Sequence, residues 1–226
     1  MVTLEIGGQT LMLLPEKAVF LPESDTLVVA DAHVGNTAGL RQRDVPAAAA
    51  GTGDEPLAVL TGLVRRLDAR RVIFLGDFLH SARAPAPGTL AALTRWRERH
   101  SALELTLVRG NDAHRAGDPP AVLDIQPFIE PLAHRGLALC HRPRPIEGAF
   151  VLAGHLHPCV SIGGRAHDWR RLPCFWFAAR VGVLPAFGTY TGMQAIRVRR
   201  GERAFAATAD RVFELQPKPK PARMLR

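Results

Sequence analysis

"AFVLAGHLHP", residues 149–158, ends a short apolar run in a glycine and two histidines one residue apart. An apolar run of this length, closed by a glycine, reads as a buried strand. The same layout recurs along the chain. "TLVVA" (26–30) leads to Asp31 and His33, "RVIFL" (71–75) to Gly76, Asp77 and His80, and "LELTLV" (103–108) to Asn111, Asp112 and His114. "GLALC" (136–140) leads to His141, and the opening run leads to His155 and His157. Five strand-like runs therefore end in side chains that can ligate a metal.

Helical patterns separate some of these runs. In "DEPLAVLTGLVRRLDARR" the residues Leu57, Leu60, Leu63, Val64 and Leu67 recur at three-to-four spacing, with Asp54 as a cap and Pro56 in the first turn. Arg65, Arg66, Arg70 and Arg71 fall mostly off that stripe and read as a solvated face. "GTLAALTRWRERH" repeats the pattern with Leu90, Leu93 and Trp96, and Trp96 reads as core. The start, "TLEIGGQTLML", alternates around Gly7 and Gly8 as a hairpin does. "QAIRVRRGERAFAAT" reads as a second hairpin turning near Arg200 and Gly201, so the second half is expected to be mainly β. Strands alternating with helices predict a layered α/β sheet. In such a sheet the loops beyond the carboxyl ends of the strands meet at one edge, which brings distant ligands into one cleft.

The chain has 226 residues, enough for one sizeable core, and residues 1–215 are expected to form one domain. The ending "QPKPKPARMLR" (216–226) has little to bury and reads as a flexible basic tail. No run approaches the roughly 20 apolar residues of a membrane span, and the start lacks the layout of a signal peptide. The expectation is a cytoplasmic protein with no membrane partner. Cys140, Cys159 and Cys174 lack zinc-site spacing and read as reduced apolar fillers. A net charge of +8 favours a polyanionic partner such as nucleic acid.

Two carboxylates, four imidazoles and one amide oxygen, with no thiolate, suit borderline-hard divalent ions such as Mn, Fe or Zn. Seven donors exceed the needs of one tetrahedral ion and match two ions about 3.5–4 Å apart, the spacing of two-metal hydrolytic sites. Asp77, with Gly76 allowing a close turn, is the expected bridging carboxylate.

The set "DAH", "GD", "GN", "H" and "GHLH", in this order and after these runs, resembles the calcineurin-like metallophosphoesterase superfamily. The likeness spans Asp31 to His157. Within it, "LLPEKAVFLP", "LGDFLHS", "GHLHP", "LPCFWF" and "LPAFGTYTG" resemble the DNA-ligase-associated metallophosphoesterases, PdeM-type endonucleases found with bacterial DNA-repair genes. The resemblance implies a layered αββα fold, a β-sandwich flanked by helices. It also implies one ion held by Asp31, His33, Asp77 and His157, and a second held by Asp77, Asn111, His141 and His155. The implied ions are two divalent metals, Mn first, with Fe or Zn as alternatives. The implied reaction is phosphodiester hydrolysis of DNA, single-stranded by preference, alongside repair proteins such as a ligase, helicase or exonuclease.

Many relatives carry a histidine directly after the motif asparagine, where this chain has Asp112. The leaving-group proton is therefore assigned to His114 first, with His80 or water as alternatives. Arg41, Arg83, Arg109 and Arg115 are candidates for flanking phosphates. His100, His134 and His167 fall outside the strand-end pattern and read as structural or surface residues. A phosphomonoesterase or cyclic-nucleotide phosphodiesterase, and a scaffold subunit without metals, are the competing expectations.

Overall fold

A computed structural model of the chain describes residues 1–35, 55–80, 85–109, 119–163, 169–188 and 192–215. The first sheet has seven strands: β1 (Val2–Ile6), β2 (Gln9–Leu13), β3 (Val19–Leu21), β4 (Thr26–Ala30), β5 (Arg71–Leu75), β6 (Glu104–Arg109) and β7 (Gln126–Ile129), in sequential order. From β1 to β4 neighbours are antiparallel, beginning with the expected hairpin at Gly7 and Gly8; from β4 to β7 they are parallel. Every residue of β4 is buried. That is why its sequence is continuously apolar rather than alternating.

The second sheet contains β8 (Leu132–His134), β9 (Leu137–Cys140), β10 (Phe150–Ala153), β11 (Pro158–Gly163), β12 (Trp169–Phe177), β13 (Val181–Val183), β14 (Gln194–Ala195), β15 (Arg203–Ala207) and β16 (Val212–Glu214). Residues of both sheets meet between them: Leu11, Val28 and Ile73 from the first pack in one cluster with Leu139, Leu152, Phe175 and Phe205 from the second. On the outer face of the first sheet lie α1 (Glu55–Leu67) and α2 (Pro87–Arg99). Leu57, Leu60, Leu63, Leu93 and Trp96 pack there on Leu27, Val29, Val72 and Phe74. The result is the layered mixed α/β sandwich expected, with both sheets and the helices in stacked layers.

Two local readings are corrected. Leu90 is exposed, because the buried face of α2 is formed by Thr89, Ala92, Leu93 and Trp96. Residues 194–208 do not form a hairpin. Gln194 donates to the carbonyl of His157 and β14 pairs parallel to β11, while β15 pairs with β12 and β16. The chain does turn at Gly201, but into a different partner. The three cysteines are buried and unpaired, Arg66 reaches the half-buried Glu16, and Arg71 reaches the exposed Glu104. His100 bonds Thr61 and His134 bonds Ser24, both as structural contacts between elements. Asp54, His167 and the segment 216–226 lie outside the described residues. No helix among the described residues is long and apolar enough to cross a membrane.

Candidate metal centre

The carboxyl ends of β4, β5, β9 and β10 point to one edge of the sandwich, and their following loops converge there. Asp31, His33 and His157 each offer a ligand atom within 4.8 Å of the others, and so do Asp31, Asp77 and His141. Asp31 is common to both groups. The backbone there is unusual: Asp31 (φ 48°), His33 (φ 44°), His155 (φ 70°) and His157 (φ 46°) all take left-handed conformations. Non-glycine residues in this region cost about 1–3 kcal/mol each and concentrate where surrounding structure enforces a functional geometry.

Close packing fixes the rings. A methyl group at Gly76 would lie 2.1 Å from Cδ2 of His141, so only glycine lets this ring settle beside Asp77. The His141 ring meets that of His155 edge to face, with centroids 4.8 Å apart. His33 packs edge to face on His157 at 5.3 Å and on His80 at 5.8 Å.

Hydrogen bonds behind the cluster orient it. The carbonyl of Gly192 lies 2.8 Å from His157 Nδ1. A carbonyl only accepts, so Nδ1 carries the proton and the lone pair of Nε2 faces Asp31 and His33, the arrangement a metal-binding imidazole requires. Asp31 Oδ2 accepts from the backbone N–H of His155 at 2.6 Å. Glu130, directly after β7 and almost wholly buried, accepts from the backbone N–H of His141 (2.7 Å) and Arg142 (3.0 Å) and from Arg144 Nη1 (2.7 Å). The carbonyl of His141 in turn accepts from Gly154 N at 3.0 Å. Both backbone groups of His141 are thereby held.

Among the described residues, three buried atoms at the centre have no hydrogen-bond partner: Asp31 Oδ1, His33 Nδ1 and His141 Nε2. Asp31 Oδ1 and His141 Nε2 face each other at 3.3 Å without the alignment of a hydrogen bond. Buried polar groups are otherwise almost always satisfied, so orphans that aim at one another mark a place for a cation. Oxygen and imidazole donors without a thiolate fit a divalent ion.

The charges agree with that reading. Burial pushes the Asp31 carboxyl up, but His141 and His157 more than offset it and hold it well below the usual carboxylate range. Burial lowers His33, and burial with His141 and Arg142 nearby lowers His155, so both rings are neutral near pH 7. Burial also works against a charge on His141 and His157, yet Asp31 and Asp77 outweigh it and raise both. Two imidazoles whose protonation the neighbouring carboxylates favour mark a place where positive charge is stabilised, as that of a bound cation would be.

No family model and no curated protein matches this chain. Among solved structures it is similar to the crystal structure of nuclease MPE of Pseudomonas putida, with 41% sequence identity and a TM-score of 0.78. The alignment covers 95% of this chain and 99% of that one. This chain belongs to the nuclease MPE family.

Within that family frame, the structure brings together five of the seven residues expected as ligands: Asp31, His33, Asp77, His141 and His157. His155 stands beside them, its ring against His141 and more exposed than the others. Asn111, His114, Arg41, Arg83 and Arg115 lie outside the described residues. His80 is exposed at the rim against His33. Arg109 ends β6, and its carbonyl accepts from Glu130 N at 3.0 Å. Sequence reading gave the shared carboxylate to Asp77, whereas Asp31 belongs to both groups of neighbouring ligand atoms. It missed Glu130 and the Gly192 carbonyl. An acid closing the fourth parallel strand was the only signal for Glu130, and a backbone carbonyl leaves none.

Proposed function

We propose that this chain is a metal-dependent phosphodiesterase that cuts DNA strands internally, with single-stranded DNA as its preferred substrate, in the cytoplasm and in the service of DNA repair. The observation that carries this reading is the meeting of Asp31, His33, Asp77, His141 and His157 around orphaned buried atoms. The 41% identity to a nuclease over nearly the whole chain supports it. The residues that would hold two divalent ions, manganese first, are Asp31, His33, Asp77 and His157 for one and Asp77, Asn111, His141 and His155 for the other. Asp31 is within reach of both groups. Bound ions of this kind supply Lewis acidity, neutralising phosphate charge and acidifying water.

The protein's own part is orientation and charge. Asp31 stays ionised, Gly192 keeps the proton of His157 on Nδ1, and Glu130 holds the His141 loop. No serine or cysteine nucleophile is needed. His114 is assigned the leaving-group proton, with His80 as the alternative, and Arg41, Arg83, Arg109 and Arg115 are assigned to phosphates flanking the cut.

The test is a nuclease assay on closed-circular single-stranded DNA with Mn, Mg, Zn or a chelator, for wild type and Asp77→Ala. Linear product from the wild type with metal, and none with chelator or from Asp77→Ala, is expected. A protein that leaves the circles intact and hydrolyses p-nitrophenyl phosphate faster than its bis ester is a phosphomonoesterase, and the reading fails.

A further inference from the structure

"LLPEKAVFLP" (13–22) and "LPAFGTYTG" (184–192) meet behind the metal centre. After β13 the chain leaves the second sheet, yet it stays buried from Leu184 to Gly188. Buried irregular backbone needs partners for its polar groups, and here they lie on the strands that lead to ligands. Leu184 N donates at 2.8 Å to the carbonyl of Ala153, the last residue of β10. Phe187 N donates at 2.7 Å to the carbonyl of Ala30, the last residue of β4, and Gly188 N donates at 3.2 Å to that of Asp31. Ala186 also bridges Ala30 in parallel. Residues 184–188 are thus a strap between the sheets, joining the strand that leads to His155 and His157 with the strand that leads to Asp31 and His33.

The strap has no slack. A methyl at Gly188 would sit 2.5 Å from the carbonyl oxygen of Ala32 and 3.2 Å from Cβ of His33. The strand ends that it joins are equally close, since a methyl at Gly154 would sit 2.5 Å from Asp31 Oδ2. Close-packed interiors transmit strain, so a shift of the strap moves the ligands of one sheet against those of the other.

One side chain holds the far end. Lys17 stands in the tight turn between β2 and β3, where its N–H donates to the Leu14 carbonyl at 3.0 Å and its backbone is left-handed (φ 65°). From there Nζ donates to the Gly188 carbonyl at 3.0 Å. Burial pushes the Lys17 pKa down to about 8, which still leaves an ammonium at neutral pH. A charged donor binds a carbonyl more strongly than a neutral one does.

We infer that Lys17 is a positioning residue of the metal centre: by holding Gly188 it fixes the 184–188 strap, and with it the placement of Asp31 and His33 against His155 and His157. This rests on the metal-dependent reading of the site and deepens it by naming what keeps the ligands of the two sheets in register.

The experiment titrates Mn into the metal-stripped full chain by calorimetry and records the visible spectrum of the Co-loaded protein, for wild type, Lys17→Met, Lys17→Arg and Gly188→Ala. Denaturant unfolding of each metal-free protein is measured alongside. Lys17→Met keeps the stem and removes the donor, and is expected to weaken Mn binding about tenfold and to shift the Co bands. Its metal-free stability should stay close to that of wild type, because the lost hydrogen bond is offset by relief of a buried charge. Lys17→Arg keeps a charged donor and should recover most of the affinity. Gly188→Ala pushes on the strap without altering Lys17 and should give a similar loss of Mn; its backbone lies outside the left-handed region, so the clash alone acts. That variant carries the test if Lys17→Met folds poorly. Mn affinity within about twofold of wild type in both Lys17→Met and Gly188→Ala, with unchanged Co bands, overturns the inference and leaves the metal reading standing. A loss of Mn that only follows metal-free stability, and that Lys17→Arg does not recover, overturns it as well. A wild type that takes up neither Mn nor Co sinks the metal reading, and the inference with it.

Discussion

Glu130 Oε2 accepts from the backbone N–H of His141 at 2.7 Å, and its other oxygen takes Arg144 Nη1 at the same distance. Among the described residues its hydrogen bonds go to two backbone N–H groups and Arg144, not to a ligand side chain. Yet it decides where the loop carrying His141 can stand, and burial, which would raise its pKa, is outweighed by these donors, so it stays charged. Glu130→Ala strands two backbone N–H groups and is expected to cost about 2 kcal/mol of stability. It should also weaken Mn binding, read by titration calorimetry, at least about tenfold. Glu130→Gln keeps an acceptor for the N–H pair but loses the charge facing Arg144, and should fall between. Calorimetry indistinguishable from wild type in both variants would remove Glu130 from the support of the site.

Gly76→Ala tests how tightly the site is packed. The added methyl meets the His141 ring at 2.1 Å, and φ 85° is costly for alanine besides. We expect a folded protein, since the position lies in the turn after β5 rather than within a strand, with unfolding about 1–2 kcal/mol easier. Stoichiometry of bound Mn should drop as His141 is displaced, while Asp31, His33 and His157 stay in place. Unchanged Mn stoichiometry would mean the ring can move aside without loss.

Lys17 supplies a test in the basic range. Its Nζ donates to the carbonyl of Gly188 at 3.0 Å, and burial pushes its pKa down to about 8 from 10.5. The unfolded chain therefore binds the proton more readily than the folded one between these values. The destabilisation from this buried charge is fully present below about pH 8 and is relieved as pH rises toward 10.5. In Lys17→Met, unfolding free energy measured by denaturant should rise less steeply with pH over that window than in wild type. Parallel curves would show that Lys17 titrates at its ordinary value.

The strands β4 and β5 were legible because burial on both faces leaves an unbroken apolar run, β6 because Leu105, Leu107 and Val108 are its buried positions, and the ligands that follow them were legible with them. β7 was not: all four of its residues are exposed at the edge of the sheet, so its sequence carries no burial signal, and Glu130 behind it was hidden as well. The partner of Gln194 was misread for a related reason. Alternation along 194–208 records that the segment is β, but its pairing with β11 depends on the carbonyl of His157, almost forty residues earlier, and no local pattern encodes that. Asp31 and Asp77 look alike in sequence. The packing of Gly154 and His155 against Asp31 Oδ2, which no local pattern encodes, separates their surroundings.

The left-handed backbone at Asp31, His33, His155 and His157 bears on how portable this chemistry is. A synthetic peptide spanning the two histidines of the "GHLH" loop would relax to ordinary dihedral angles and scatter its imidazoles. The ability to gather cations is therefore a property of the whole sandwich, and transplanting it to another scaffold means transplanting the turns before the ligands.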